Sequence, residues 1–226
     1  QSDSASCDED TSVVITVTAN DSYLTSSPIS VTANNGVYGT TSVSSNIVTY
    51  SPNTDSCQDD TFTYTIKQGD QTSSASVNIT VNCINDSPSI DIASTINVSE
   101  NETFVAKIEV SDPDGSNNLE LTLGGTDANS FSLSSDYNLS FKVAPDYETR
   151  NSYSISLTLS DGTITVSKNV TIKVLNVNEF APLITSGAVF SALENQTSIG
   201  SVIASDGDGD AITFSCLLYT SDAADD

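Results

Sequence analysis

The chain has 226 residues, a formal charge of -24 from 30 acidic against 6 basic side chains, and no His, Met or Trp. Without histidine there is no Ser-His-Asp or Cys-His catalytic pair and no imidazole zinc site, so the commonest hydrolase and metalloenzyme chemistries are excluded and an enzyme is not expected. So large an excess of negative charge makes nucleic acid and anionic lipid poor partners, and divalent cations good ones.

Hydrophobic residues make up 37% of the chain and come in short pieces, which points to several small cores. Val13, Ile15 and Val17 alternate with polar residues, as do Phe62, Tyr64 and Ile66, and then Val77, Ile79 and Val81. Period two predicts half-buried strands. Further along, Phe104, Ala106, Ile108 and Val110 are expected on the inward face of one strand. Tyr153, Ile155, Leu157 and Leu159, then Val166, Val170, Ile172 and Val174, predict the last two strands of that module, with Asp161-Gly162 as the hairpin turn. From Pro182 the pattern starts again through Val202, Ile203, Ile212 and Phe214, too short a stretch to close a core alone. No apolar run is long enough to span a bilayer and no leader begins at Gln1, and the missing initiator Met makes an internal piece of a longer product the expectation.

A shift of 94 residues superposes Pro88 on Pro182, Glu100-Asn101 on Glu194-Asn195, Thr103 on Thr197, and Asp112 and Asp114 on Asp206 and Asp208. A repeat of that length, cut into short strands, is the size of one sandwich domain. The expected fold is therefore all-β: serial Greek-key sandwiches over residues 1–87 and 88–180, a truncated third over 181–215, and a tail, 216–226, outside the repeat. The tail is expected to be foreign, although its Thr-Ser-Asp-Ala stretch also suits a native turn.

The acidic residues gather near the predicted strand ends. Glu100, Asp146 and Glu148 are expected at one pole of the second sandwich, and Asp112, Asp114 and Asp161 at the other, beside the incoming linker. Carboxylates at such density stay ionised and ordered only with a cation among them. Hard oxygen donors in flexible geometry select calcium. Taken singly, any of these acids is more often a solvated turn residue, and the repeated register is what argues for the set. Asp146 and Glu148 could also be a glycosidase pair, but no aromatic platform for a sugar accompanies them.

Residues 88–215 resemble the cadherin-type repeats of bacterial surface proteins. The motifs are Ser99-Glu100-Asn101, Asp112-Pro113-Asp114, Asp146-Tyr147-Glu148 and the run Asn176-Val177-Asn178-Glu179-Phe180-Ala181-Pro182. Residues 1–87 are similar to bacterial immunoglobulin-like or cadherin-like tandem repeats, through Asp8-Glu9-Asp10-Thr11, Asn20-Asp21, Tyr50-Ser51-Pro52-Asn53, Asp60-Thr61-Phe62-Thr63-Tyr64 and Asn85-Asp86-Ser87-Pro88. The resemblance implies calcium at the second junction through Glu100, Asp146, Glu148, Glu179, Asp206 and Asp208, with Asn178 offering oxygen. Asn176 stands where the family usually has Asp, and Phe180 where it often has Asn, which implies fewer or looser ions, bound at roughly 0.1 to 1 mM.

At the first junction the same alignment puts Cys57 on Glu148 and Cys83 on Asn176. It implies a Cys57–Cys83 disulfide in place of part of the ion site, worth roughly 3 kcal/mol, in an oxidising, extracytoplasmic setting. Calcium there falls to Glu9, Asp55, Asp86, Asp112, Asp114 and Asp161. Cys7 is expected near the opposite pole, left over, either paired with a preceding repeat or, the preferred reading, a free thiol like Cys216.

The resemblance implies a calcium-stiffened rod in a surface or secreted, membrane-associated adhesin. Its partners would be calcium, further repeats of the same chain, and a cell-surface or matrix protein or glycan. The other reading is a spacer carrying an enzyme or carbohydrate-binding domain. Without Trp, strand exchange through an anchored indole is not expected.

Overall fold

The computed structural model describes residues 1–22, 28–115 and 118–215; the expected foreign tail and Cys216 lie outside them. The chain forms two compact units, one of residues Gln1–Ile90, Val110–Glu120 and Leu159–Val166, the other of Asp91–Glu109, Leu121–Thr158 and Ser167–Asp226. Among the described residues every element is a β-strand, apart from a short 3-10 turn at Ala128–Ser130.

In the first unit β1 (Asp3–Asp8), β2 (Val13–Ile15), β3 (Ile29–Ala33), β4 (Gly39–Ser44), β5 (Ile47–Pro52), β6 (Asp60–Gln68) and β7 (Gln71–Asn82) make two sheets, ordered β1-β7-β6-β3 and β2-β5-β4. β1 lies parallel to β7 and the remaining pairs are antiparallel. Two hairpins have two-residue turns. Ser45 (φ 52) and Asn46 (φ 66) join β4 to β5, both left-handed as a turn matching the strand twist requires. Gly69 (φ 58) opens the turn between β6 and β7. The Asn46 side chain then reaches the other sheet, accepting from Val31 N at 3.1 Å and donating to the Ile29 carbonyl at 3.3 Å.

The alternating residues Val17, Phe62, Tyr64, Val77 and Ile79 face inward as expected, and Val48 and Tyr50 of β5, outside the strands expected from the sequence, are buried with them between the sheets. Tyr50 and Phe62 stack with ring centroids 5.9 Å apart. β8 (Ser89–Asp91) pairs with a later strand, β11 (Glu109–Ser111), and the Ser89 and Ser111 hydroxyls lie 2.8 Å apart.

The second unit repeats the plan. β9 (Thr95–Ser99) runs parallel to β16 (Thr165–Leu175), in the sheet β12-β15-β16-β9 with β12 (Glu120–Gly124) and β15 (Ser152–Ser160). β10 (Phe104–Lys107), β14 (Asn138–Phe141) and β13 (Phe131–Leu133) form the other sheet. Phe131, Leu139, Ile155, Leu157, Ile172 and Val174 fill the core. β17 (Leu183–Ile184) and β18 (Ala204–Ser205) pair antiparallel, and the apolar residues around them, Leu183, Ile184, Val202, Ile203 and Phe214, stay exposed.

Three expectations fail. The run from Phe104 to Val110 is not one strand: β10 ends at Lys107 and β11 begins at Glu109, in separate sheets. Phe104 does not face the core: a register shift between Phe104 and Ala106 in the β10–β14 ladder leaves Phe104 55% exposed and buries Val105 instead. A bulge of this kind inverts the alternation over one residue. Nor is Cys7 at the pole opposite the disulfide. The parallel β1–β7 pairing sets Cys7 against Val81, two residues before Cys83, where it is buried and free.

Candidate metal centres

In the second unit β9 ends at Ser99, and Glu100 follows with its N–H on the Leu175 carbonyl (3.0 Å). Its side chain, 2% exposed, accepts backbone N–H bonds from Tyr147 (2.8 Å) and Val177 (2.7 Å). Ligand oxygens of Glu100, Asp146 and Glu148 all lie within 4.8 Å of one another, beside a cleft of about 340 Å³ that Glu179 and Phe180 also line.

Desolvation, followed by the charges of Glu100, Asp146 and Asp208, pushes Glu148 above the usual carboxylate range, although a backbone hydrogen bond opposes this. The Thr149 hydroxyl, 2.8 Å from Asp146 Oδ2, pulls Asp146 below it.

Asp208 is buried and accepts from Glu179 N (3.0 Å) and Phe180 N (2.7 Å) through Oδ2, while its Oδ1 is buried without a partner. Asp206 accepts the Asp208 N–H at 3.0 Å, and Glu179 accepts from the Asn101 amide at 2.7 Å. Asn178 turns its amide nitrogen to Asp210, an acid that the repeat register did not single out. Phe180 occupies the space beside Gly207, its ring 2.6 Å from where a Cβ would stand.

The first unit has the same cradle. Glu9, 5% exposed, donates its N–H to the Asn82 carbonyl (3.0 Å) and accepts from Ile84 N (2.6 Å). Asp86 donates its N–H to Asp114 (2.6 Å), and Asp114 donates its own to Asp112 (2.9 Å). Asp161 accepts from the Asn85 amide at 2.9 Å, the principal reason its pKa is lowered.

Two triads come within 4.8 Å, Glu9–Asp86–Asp114 and Asp10–Asp55–Asp86. Desolvation first, and then Asp114, Asp55, Glu9 and Asp10, raise the Asp86 pKa. Asp86 Oδ2 and Asp112 Oδ2 are buried and unpaired. Cys57 and Cys83 form a disulfide with Cα atoms 5.0 Å apart.

The structure thus gathers Glu100, Asp146 and Glu148 in one triad and Asp86 and Asp114 with Glu9 in another. Asp112, Asp161, Asp206, Asn178 and Glu179 are hydrogen-bonded around them. Asp10, part of the Asp8-Glu9-Asp10-Thr11 motif, was not among the expected ligands, yet it lies in a triad with Asp55 and Asp86. The chemistry of the donor set fits a hard cation. Among the described residues no Lys or Arg ion pair reaches a triad: Arg150 holds Asp127 and Lys107 holds Glu109. Buried carboxylate oxygens without donors are costly unless a positive charge meets them.

A family model for the bacterial Ig domain matches residues 1–80. No curated protein matches the chain. Among solved structures the fold is similar to human CDH23 EC21-23, at 14% identity over 91% of this chain and 83% of that one, TM-score 0.52. It is similar also to protocadherin gamma B2 extracellular cadherin domains 3-6, at 20% identity over 91% of this chain and 54% of that one, TM-score 0.52. Human protocadherin-24 EC1-2 matches at 22% identity over 55% of this chain and 61% of that one, TM-score 0.46. The chain spans less than two thirds of the two protocadherin chains. Its structural neighbours are cadherin extracellular repeats, its fold is immunoglobulin-like and cadherin-like, and no helix among the described residues is long and apolar enough to cross a membrane.

Proposed function

We propose that this chain is a stretch of serial β-sandwich modules of an extracellular surface protein, whose acidic clusters bind calcium and thereby stiffen the chain for adhesion. Glu100, Asp146, Glu148 and Asp208 hold the ion in the second unit, with Glu179, Asp206 and Asn178 around them. Glu9, Asp86 and Asp114 hold it in the first, supported by Asp112 and Asp161. The observation that carries this reading is the buried, donorless carboxylate oxygen: Asp208 Oδ1 beside one set, and Asp86 Oδ2 and Asp112 Oδ2 beside the other.

Bound calcium supplies the positive charge that these oxygens lack. The chain's own part is to aim them. Backbone N–H groups fix Glu9, Glu100 and Asp208, so the carboxylates repel one another without the ion and hold one arrangement with it. The 112–114 turn is thereby tied to the 1–90 segment, and the 206–208 turn to Glu100 and Glu148. A Cys57–Cys83 disulfide is at home in an oxidising, extracytoplasmic compartment, where calcium is plentiful. The adhesive partner on this reading is a cell-surface or matrix protein or glycan, with further repeats of the same chain as neighbours.

Differential scanning calorimetry of the chain in EGTA and in rising calcium tests the proposal. Calcium raises the melting temperature, magnesium does so less, and Glu148→Gln with Asp208→Asn blunts the response. A melting temperature indifferent to calcium up to about 10 mM, beyond the weakest extracellular modules, would overturn it.

A further inference from the structure

β3 is the outer strand of one sheet of the first unit and β4 of the other, and the two touch along one side of the sandwich. An outer strand offers a row of backbone N–H and C=O groups to any strand that comes alongside, and proteins commonly blunt such an edge with a charge, a proline or a bulge. Ile29–Ala33 and Gly39–Ser44 use none of these: they are uncharged, contain no proline and pair with β6 and β5 in unbroken register. From Ser22 to Thr54 no residue carries a charge, in a chain with 30 acidic and 6 basic side chains. The repulsion that keeps two copies apart elsewhere is therefore missing along this stretch. Short, uncharged, β-branched windows are also the kind that pair between chains.

Two asparagines cover the open backbone groups instead. Asn46, in the β4–β5 turn, accepts from Val31 N at 3.1 Å and donates to the Ile29 carbonyl at 3.3 Å. Those are the two bonds that one residue of a strand running parallel to β3 would make. Asn35, just after β3, accepts the Thr41 N–H of β4 at 2.8 Å, and the Thr41 hydroxyl donates to the Asn34 carbonyl at 3.2 Å. The clasp is reciprocal: the turn that leaves β4 covers β3, and the loop that leaves β3 covers β4.

We infer that this side of the first unit is a strand-addition surface for a second copy of the chain, held shut by Asn35 and Asn46. A strand from another copy reaches the Val31 and Thr41 N–H groups only by displacing those two amides. Calcium plays no part in it.

Sedimentation velocity of the full chain in EGTA, over a range of concentrations, tests it. Asn35→Ala with Asn46→Gly removes both amides, and glycine keeps the left-handed backbone of position 46 (φ 66). The double variant should self-associate about tenfold more tightly than wild type or better, because each freed N–H then finds a protein partner only in the associated form. Thr32→Lys and Ser42→Lys, at exposed positions of the two edge strands, should return it to monomer. In the associated form the Val31 and Thr41 N–H groups should be protected from hydrogen exchange. Tyr50→Phe, which weakens the same unit but leaves both edges covered, should sediment as wild type does.

A double variant that matches wild type at every concentration up to about 1 mM overturns the inference. So does association that Tyr50→Phe shares, which assigns it to loosened packing, or association in which Val31 and Thr41 exchange freely, which puts the contact elsewhere. Should the double variant fail to fold, Asn35→Ala alone decides by the same outcomes, since that side chain is exposed and its loss uncovers β4 only.

Discussion

The Tyr50 hydroxyl donates to Asp60 Oδ2 at 2.7 Å inside the apolar core of the first unit, both side chains being buried. Backbone N–H groups of Val37 (3.0 Å), Tyr38 (2.9 Å) and Thr61 (2.8 Å) complete the shell around the carboxylate. One acid thereby fastens the loop before β4 to β5 and β6.

Removing that hydroxyl leaves the carboxylate buried with one donor fewer. Tyr50→Phe should cost about 2 kcal/mol, the range for a hydrogen bond to a charged group, read as a lower urea midpoint in EGTA. An unchanged midpoint would show that the bond adds nothing to stability.

The same pair sets two pH limbs. Burial opposes the Asp60 charge, but the Tyr50 hydroxyl and the three N–H donors outweigh it, and the folded pKa lies below its ordinary 3.8. Its stabilisation is complete above the unfolded value and is lost as pH falls through the folded one. Burial, then Asp60, raises Tyr50 above its ordinary 10.0, so that contribution is intact below pH 10 and is lost as pH rises through the folded value. Stability measured against pH should flatten below about pH 4 in Asp60→Asn and above about pH 10 in Tyr50→Phe. Parallel wild-type and variant curves would refute the assignment.

Gly36 separates space from backbone strain. A Cβ there would stand 1.9 Å from Asp60 Oδ2, whereas at Gly162 (φ 96) it would meet nothing within 4 Å. Gly36→Ala should cost about 2 kcal/mol or more by overpacking, and Gly162→Ala about 1 kcal/mol from the left-handed backbone alone. Equal losses in thermal unfolding would contradict this.

Cys57→Ser with Cys83→Ser should lose about 3 kcal/mol, and reduced wild type should match the double variant. Non-reducing peptide maps should recover the Cys57–Cys83 link. Burial, then Asp8, raises the Cys7 pKa, so iodoacetamide should label Cys7 only after unfolding. Rapid labelling of the native chain would mean that β1 does not stay docked on β7.

Much of the fold was legible because period-two alternation is a local property. Val77, Ile79 and Val81 face inward in β7 as their spacing required, as do Ile155, Leu157 and Leu159 in β15. Alternation fails where the backbone adds a residue, and nothing in Phe104-Val105-Ala106 announces the bulge. The β4–β5 turn was missed for a related reason: Ser45-Asn46 is a weaker turn signal than Asn-Gly, and its value lies in the Asn46 bonds to a strand of the other sheet.

The sequence by itself determined the strand faces, the 94-residue repeat and the identity of the acids at strand ends. These depend on neighbours a few residues away, or on a register that recurs. Which acids share a site, and where Cys7 falls, only the tertiary structure decided. Asp10, Asp55 and Asp86 come from three separate segments and meet through the parallel docking of β1 on β7 and the 53–59 loop. Spacing along the chain does not encode that convergence, because it is a distance through folded space.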